Sequence, residues 1–316
     1  MGVNAQDALF TQFFLVPQTI NPGFTGYMET INAGVIHRTQ WPDLALRIDS
    51  DYAFFNMWED SMNSGFGMNL LSNRESFSNY SFTQVDFNYA YKVELSDEWY
   101  FRPSIQVAYA NKSYGFSNLI FQDQLNIDTE TVNPVTIDPV QLQERRGYFD
   151  FSSGLLFNNE TMWFGVYFKH LNRPNISFVN RGYQTIEPLY SFSMGKEFDL
   201  GYLLNTNFLP DDSKLLLLSN FSKQGEFNRL DIGPIAVIDK FFFGTTVTTN
   251  PIRNNSNSHL STSTNFIAGL QYQYFKFGLS YDHNISAIGK TGGIYEVSLI
   301  YQFDIKASCF GCPVSK

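Results

Sequence analysis

Side chains able to do chemistry are few in this chain of 316 residues. It has four histidines (His37, His170, His259 and His283) and two cysteines (Cys309 and Cys312). A catalytic histidine needs a nucleophile or carboxylate beside it in space. Asp282-His283 is suggestive, but neighbours on a strand point to opposite faces, which makes them a poor dyad. No His-x-x-His pair and no carboxylate cluster at ligand spacing occurs, so no metal and no cofactor are expected. Cys309-Phe310-Gly311-Cys312 is a CxxC motif in the tail. Redox CxxC sites usually open a helix in a thioredoxin-like fold; here a small disulfide between Cys309 and Cys312, or free thiols, is preferred to a zinc site shared with another chain. The expected protein is not an enzyme.

A second set of groups is more regular. Arg47, Asp49, Asp86, Lys92, Arg102, Asp150, Lys169, Asp231, Asp282 and Glu296 are charges set among alternating apolar residues. A solute-selective pore more often carries one dominant sign at its constriction. Mixed signs suit a lumen sealed by ion pairs and a plug, or a polar wall facing an inserted polypeptide; a solvated lumen is the simpler reading and the one preferred for most of these charges.

Such charges need strands to hold them. In Tyr80–Glu94, Val85, Phe87, Tyr89, Tyr91 and Val93 oppose Gln84, Asp86, Asn88, Ala90 and Lys92. In Gly292–Asp304, Tyr295, Val297, Leu299, Tyr301 and Phe303 oppose Glu296, Ser298, Ile300 and Gln302. A period of two with rings on one side and charges on the other describes strands between an apolar medium and water. Aromatics reach 17% while charged residues stop at 16%, yet mean hydropathy is slightly negative. That balance fits an outer-membrane barrel, apolar on alternate residues only; a secreted β-sandwich or β-helix is the composition-level competitor. No run of about 18 apolar residues exists to span a bilayer as a helix. Net charge is −9 with no basic stripe, which argues against a nucleic-acid partner. Val3-Asn4-Ala5 before Gln6 resembles the remnant of a cleavage site, consistent with export.

Taken in order, residues 1–26 form a lead-in, broken by Pro17, Pro22, Gly23 and Gly26, on the periplasmic side or folded into the lumen. Strands are expected from Tyr27–Arg38, Leu44–Phe55, Met62–Leu71, Tyr80–Glu94, Trp99–Lys112, Gly147–Phe157 and Met162–Leu171. Long loops fall at Ser113–Arg146 and Asn172–Gln184. A turn at Gly195-Lys196-Glu197 would bring the strand total to fifteen and put the termini on opposite faces, which single-chain bacterial barrels generally avoid. Reading Glu187–Asn207 as one long strand restores parity. Strands then follow at Lys214–Ser222, Phe227–Ile238, Phe241–Thr249, Ser263–Tyr272, Phe275–His283 and Gly292–Phe303. The expectation is an all-β, single transmembrane antiparallel β-barrel over 27–304, of about fourteen strands (sixteen being the other count kept open), with periplasmic termini and a tail at 305–316.

Several motifs then resemble one family, the PorP/SprF proteins of the type IX secretion system. They are Phe10-Thr11-Gln12-Phe13 with Asn21-Pro22-Gly23-Phe24-Thr25-Gly26, His37-Arg38-Thr39-Gln40-Trp41, and Phe116-Ser117-Asn118-Leu119 with Phe121-Gln122-Asp123-Gln124-Leu125. Tyr148-Phe149-Asp150-Phe151, His170-Leu171-Asn172-Arg173-Pro174-Asn175, Ser280-Tyr281-Asp282 and Cys312-Pro313 complete the set. Gly23 stands where the family commonly has Ala. The resemblance implies an outer-membrane barrel of Bacteroidota-type bacteria that assists export of a surface adhesin carrying a type B C-terminal domain, or retains it at the surface, as in gliding motility. Other secretion components and outer-membrane lipid are further expected partners. Long loops with rings and amides are costly to leave loose in water. Phe116, Leu119, Phe121, Gln122, Asp123 and Leu125, then Arg173, Asn175 and Phe178, and Trp41 are therefore the candidate partner contacts. A porin-like or fatty-acid-channel-like transport barrel is the rival reading.

Overall fold

The computed structural model describes residues 7–115, 124–126, 130–134, 144–204, 209–210, 213–252, 261–285 and 291–303. Fourteen antiparallel strands among them close into a barrel. They are β1 (Asn32–Gln40), β2 (Ile48–Glu59), β3 (Ser64–Glu75), β4 (Ser81–Tyr91), β5 (Tyr100–Ser113), β6 (Arg145–Asn158) and β7 (Met162–Lys169). The second half comprises β8 (Leu189–Asp199), β9 (Lys214–Gln224), β10 (Phe227–Ile238), β11 (Phe241–Thr249), β12 (Ser261–Tyr272), β13 (Phe275–Asn284) and β14 (Ile294–Gln302). Lys92 interrupts β4, whose continuation Val93–Glu94 still pairs with β5. β14 seals on β1 from Gln302 opposite Asn32 to Ile294 opposite Gln40. The final alternating stretch is thus the closing stave, and closure leaves no sheet edge to satisfy in lipid.

The barrel is inside-out relative to a water-soluble protein. Along β4, Gln84, Asp86, Asn88 and Ala90 are buried while Phe87 and Tyr91 are exposed. Along β14, Glu296, Ser298, Ile300 and Gln302 are buried while Tyr295, Val297 and Leu299 point out. An apolar outer band around a polar lumen is the membrane-barrel arrangement. Most connections sort by length. The segments 114–144, 170–188, 250–260 and 285–293 all join strands at one end of the barrel, here called the mouth, while 95–99, 159–161, 239–240 and 273–274 turn at the other; the exceptions are the two-residue link 225–226 at the mouth and the longer 200–213 at the other end.

Several expected boundaries move, the third strand to Ser64–Glu75 among them, and three shifts have a clear local cause. The first strand starts at Asn32 rather than Tyr27, because Tyr27 N–H and Glu29 N–H donate to Phe24 and Gly26 carbonyls and prolong a chain of turns. The second starts at Ile48 rather than Leu44: Leu44 N–H closes a turn on Trp41 O, and Arg47, expected inside, is exposed and pairs with Asp49 at 2.6 Å. The strand expected over 187–207 ends at Asp199 and passes into α1 (Leu200–Leu204), a short helix started where the Asp199 carboxylate accepts from Tyr202 N–H at 2.8 Å. An aspartate in that position satisfies a free helix-end donor. The parity of the barrel is unchanged by this.

The lumen is filled by the chain's own N-terminal segment. Residues 7–31 run from the mouth to the short-turn end through two 3₁₀ turns, Pro17–Thr19 and Pro22–Phe24, before β1 begins. Phe10 and Val16 pack with Ile36, Tyr52, Phe54, Leu71, Phe82, Ala110, Tyr148 and Ile300, which line β1–β6 and β14. Phe13 and Ile20 pack with Leu218, Ile235, Phe242 and Ile267 on β9–β12. One segment therefore touches both walls of the barrel, and the apolar core lies between plug and wall.

Candidate functional site

Three polar anchors hold the plug. The uppermost is Asp7. Its carboxylate accepts from Lys169 Nζ at 2.9 Å and meets His170 Nε2 at 2.7 Å, while His170 Nδ1 meets Asp150 at 2.9 Å. Burial raises the Asp7 pKa, but Lys169 and His170 outweigh it and hold the group well below the ordinary carboxylate range. Burial lowers the His170 pKa, but Asp7 and Asp150 outweigh that in turn and hold the ring above its usual value. Each partner thus favours the charged form of the other.

The second anchor is Glu296 on β14, 1% exposed. Its carboxylate accepts from Thr11 N–H at 2.9 Å, Gln12 N–H at 3.0 Å and Arg38 Nη1 at 2.5 Å. Thr11 Oγ1 donates to Asp282 at 2.6 Å, and Ser298 Oγ donates to the Gln12 amide oxygen at 2.6 Å. This explains Thr11-Gln12 in the opening motif: both backbone N–H groups are buried away from any strand and need an acceptor. The third anchor is Asn21. Its amide nitrogen donates to Leu155 O at 3.1 Å and Val166 O at 3.2 Å, and its oxygen accepts from Gly23 N–H at 2.8 Å. Below it the Thr25 backbone lies against Gly65 on β3, so close that a Cβ there would overlap the Thr25 carbonyl. Glu29 ends the plug by pairing with Lys92 and Arg102.

Above the plug the mouth opens into a cavity of about 910 Å³, with Asp7, Ala8 and Leu9 on its floor. Arg38, Trp41, Tyr80, Phe82, Lys112 and Tyr148 are in its wall. The sequence-derived contact residues fall unevenly around it. Trp41, at φ 57°, lines the cavity and donates its N–H to Gly293 O at 3.0 Å. Arg173 is exposed and lies 3.6 Å from Glu187. Phe178 meets Tyr114 with ring centroids 6.3 Å apart. Asn175 is engaged inside its own loop, donating to Gly182 O and accepting from Ser177 and Gln184 N–H. Leu125 is 52% exposed in a small hairpin, Leu125–Asn126 with Thr131–Val132. Phe116, Leu119, Phe121, Gln122, Asp123, Cys309 and Cys312 lie outside the described residues.

The histidines offer no catalytic arrangement among the described residues. Both His170 nitrogens face carboxylates. His37 is exposed between Asp51 at 2.7 Å and Thr39 Oγ1 at 3.1 Å, but that hydroxyl donates to Asp49 at 2.9 Å and so does not offer the ring its proton. Asp282 is buried and His283 exposed, as neighbours on a strand must be. Sequence reasoning missed Asp7, Thr11, Gln12 and Asn21 as anchors. The available signal was a proline- and glycine-broken segment of buried type that refused to alternate.

Fold and filled lumen together define an outer-membrane β-barrel closed by its own N-terminal segment. A family model described as type IX secretion system membrane protein PorP/SprF matches residues 2–301, and the chain belongs to that family. It is thus an outer-membrane protein of the type IX secretion system, a system found in Bacteroidota, and a barrel of a non-enzymatic kind. Comparison with curated proteins gives no match. Among solved structures, the chain is similar to the outer membrane protein Omp33 of Acinetobacter baumannii at 5% identity, covering 87% of this chain and 98% of that one with a TM-score of 0.47. It is similar to the toluene transporter TodX of P. putida at 8% identity, covering 90% and 92% with a TM-score of 0.49. The KdgM porin gives 9% identity, 86% and 99% coverage and a TM-score of 0.36. These likenesses concern the barrel alone.

Proposed function

We propose that this barrel is a surface receptor that holds the type B C-terminal domain of a type IX-secreted adhesin at its mouth, anchoring it or assisting its export. The observation that carries the reading is the asymmetry of the lumen: residues 7–31 fill it from wall to wall, while the long-loop end stays open as a cavity of about 910 Å³. A blocked barrel with one open end suits a docking socket better than a conduit. In barrels of this type long loops lie outside the cell and short turns in the periplasm. That rule directs the mouth outward and ends β14 on the inner side, ahead of 305–316. Segments 113–146 and 172–184, with Trp41 at the rim, form the contact surface, and docking is hydrophobic and hydrogen-bonded rather than catalytic. Other secretion components and outer-membrane lipid are its further neighbours.

Co-purification of the full barrel with an adhesin C-terminal fragment tests the reading. Deleting 116–125 is expected to abolish capture; unchanged capture would overturn the loop assignment. The rival transport reading requires a steady solute-selective conductance in planar bilayers, which the plug opposes.

A further inference from the structure

Lys112 stands apart from the other lumenal charges. It lies on β5, 5% exposed, opposite Phe82 on β4 and Arg146 on β6, and its side chain is in the cavity wall. Its ammonium sits 5.7 Å from the ring centroids of both Phe82 and Tyr148. Among the described residues no carboxylate comes within ion-pair distance of it, and no acceptor within hydrogen-bond distance. The acids around the cavity each hold other groups, although one oxygen of Asp150 and one of Asp282 have no partner. Asp7 holds Lys169 and His170, Asp150 holds His170, Asp282 accepts from Thr11, and Glu75 accepts from Phe77 and Ser78 N–H. Arg146, the neighbouring cation, donates to Asn175 O at 3.1 Å, a neutral acceptor.

A largely buried side chain whose ammonium meets only ring faces and the open cavity has no anion against it. Cation–π attraction offsets part of the cost of desolvation, and an anion in hydrogen-bond reach offsets far more. Ring faces on either side would also hold an apolar or aromatic stem next to that anion. We infer that Lys112, between Phe82 and Tyr148, is the seat for a carboxylate carried by a polypeptide segment that enters the mouth beside aromatic neighbours. The inference rests on the receptor reading above and gives it a chemical address. On the receptor reading the entering segment comes from the secreted partner; among the described residues of the plug, the one acid at the cavity floor, Asp7, is already bound.

The test uses the full-length barrel in nanodiscs and two capped five-residue peptides, one alternating tyrosine with glutamate and the other tyrosine with glutamine. Calorimetry is expected to show the glutamate peptide binding about ten- to a hundredfold more tightly, the range of one charge-assisted hydrogen bond. Lys112→Met, which keeps the stem, is expected to erase that preference, and Lys112→Arg to retain it. The wild-type comparison stands even where a variant fails to fold. No preference in the wild type, a preference surviving Lys112→Met, or no binding of either peptide overturns the carboxylate seat. Loss of adhesin capture on deleting 116–125 without any peptide preference refutes Lys112 alone and leaves the receptor reading intact. Peptide preference without adhesin capture refutes the receptor reading instead.

Discussion

Replacing Glu296 by glutamine removes one charge from the lumen and leaves its shape nearly unchanged. In the wild type that carboxylate takes the Thr11 and Gln12 N–H groups and Arg38 Nη1 within 3.0 Å. In the variant Arg38 is left with Asp282 at 3.9 Å and Gln40 at 3.3 Å, and two backbone donors face an amide with a single acceptor oxygen. Removing one partner of a buried ion pair costs about 3–5 kcal/mol. Each lost hydrogen bond to a charged group is worth about 1.5–3 kcal/mol; the two figures overlap and are not summed. A cost of about 3–5 kcal/mol, at 1.4 kcal/mol per factor of ten, raises the population with the plug detached here by about two to nearly four orders of magnitude. The strands do not depend on that carboxylate, so the barrel should keep its heat-modifiable gel mobility. Planar-bilayer recording is the assay: a closed wild type and frequent open events in Glu296→Gln are expected. A variant as silent as the wild type, with 7–31 equally protected from protease, would refute the idea that Glu296 holds the plug.

Three further perturbations probe other anchors. The His170–Asp7 latch should depend on pH. A histidine with a raised folded pKa contributes fully below its unfolded value of about 6.5 and loses that contribution as pH rises through the folded value. Asp7, held low, contributes above about 3.9 and loses it as pH falls through its lowered folded value. Amide exchange at 7–10, corrected for its intrinsic rate, should therefore accelerate on the alkaline side; a flat profile from about pH 6 to 9 counts against the latch. Gly65→Val places atoms where the Thr25 backbone lies and should destabilise the plug by about 1–3 kcal/mol, seen as new protease cleavage near 25; full protection there would show that the wall yields instead. Asn21→Ala removes three hydrogen bonds and should lower the denaturation midpoint by the equivalent of about 1–3 kcal/mol, whereas an unchanged midpoint would make that anchor dispensable.

Alternation made the staves legible because in a barrel each lumenal residue is flanked by lipid-facing ones, and the two media differ sharply. Phe227–Ile238 and Phe241–Thr249 were readable to the residue for that reason. Parity supplied what alternation lacked around 187–207: it required one strand there, and one is present, although the apolar run beyond Asp199 coils into α1. The strand starts at 27 and 44 were misread because Tyr27 and Leu44 continue the alternation while their backbones are held in turns. The plug was open to two readings since its partners are far away in sequence. Nothing local to Thr11-Gln12 indicates an acceptor at Glu296, and nothing local to Lys112 indicates that neighbouring acids are taken. Lumenal charges of both signs allowed a sealed interior as well as a solvated one, and Arg38–Glu296, Lys169–Asp7 and Arg229–Asp231 are ion pairs of the first kind.

Cross-linking at the mouth in living cells addresses receptor function most directly. A photoreactive residue in place of Tyr80, which lines the cavity, should form an adduct with the C-terminal domain of a secreted adhesin, and the same group in place of outward-facing Phe87 should not. Adducts only with other barrel or secretion components, together with a steady conductance from the purified protein, would contradict a plugged receptor.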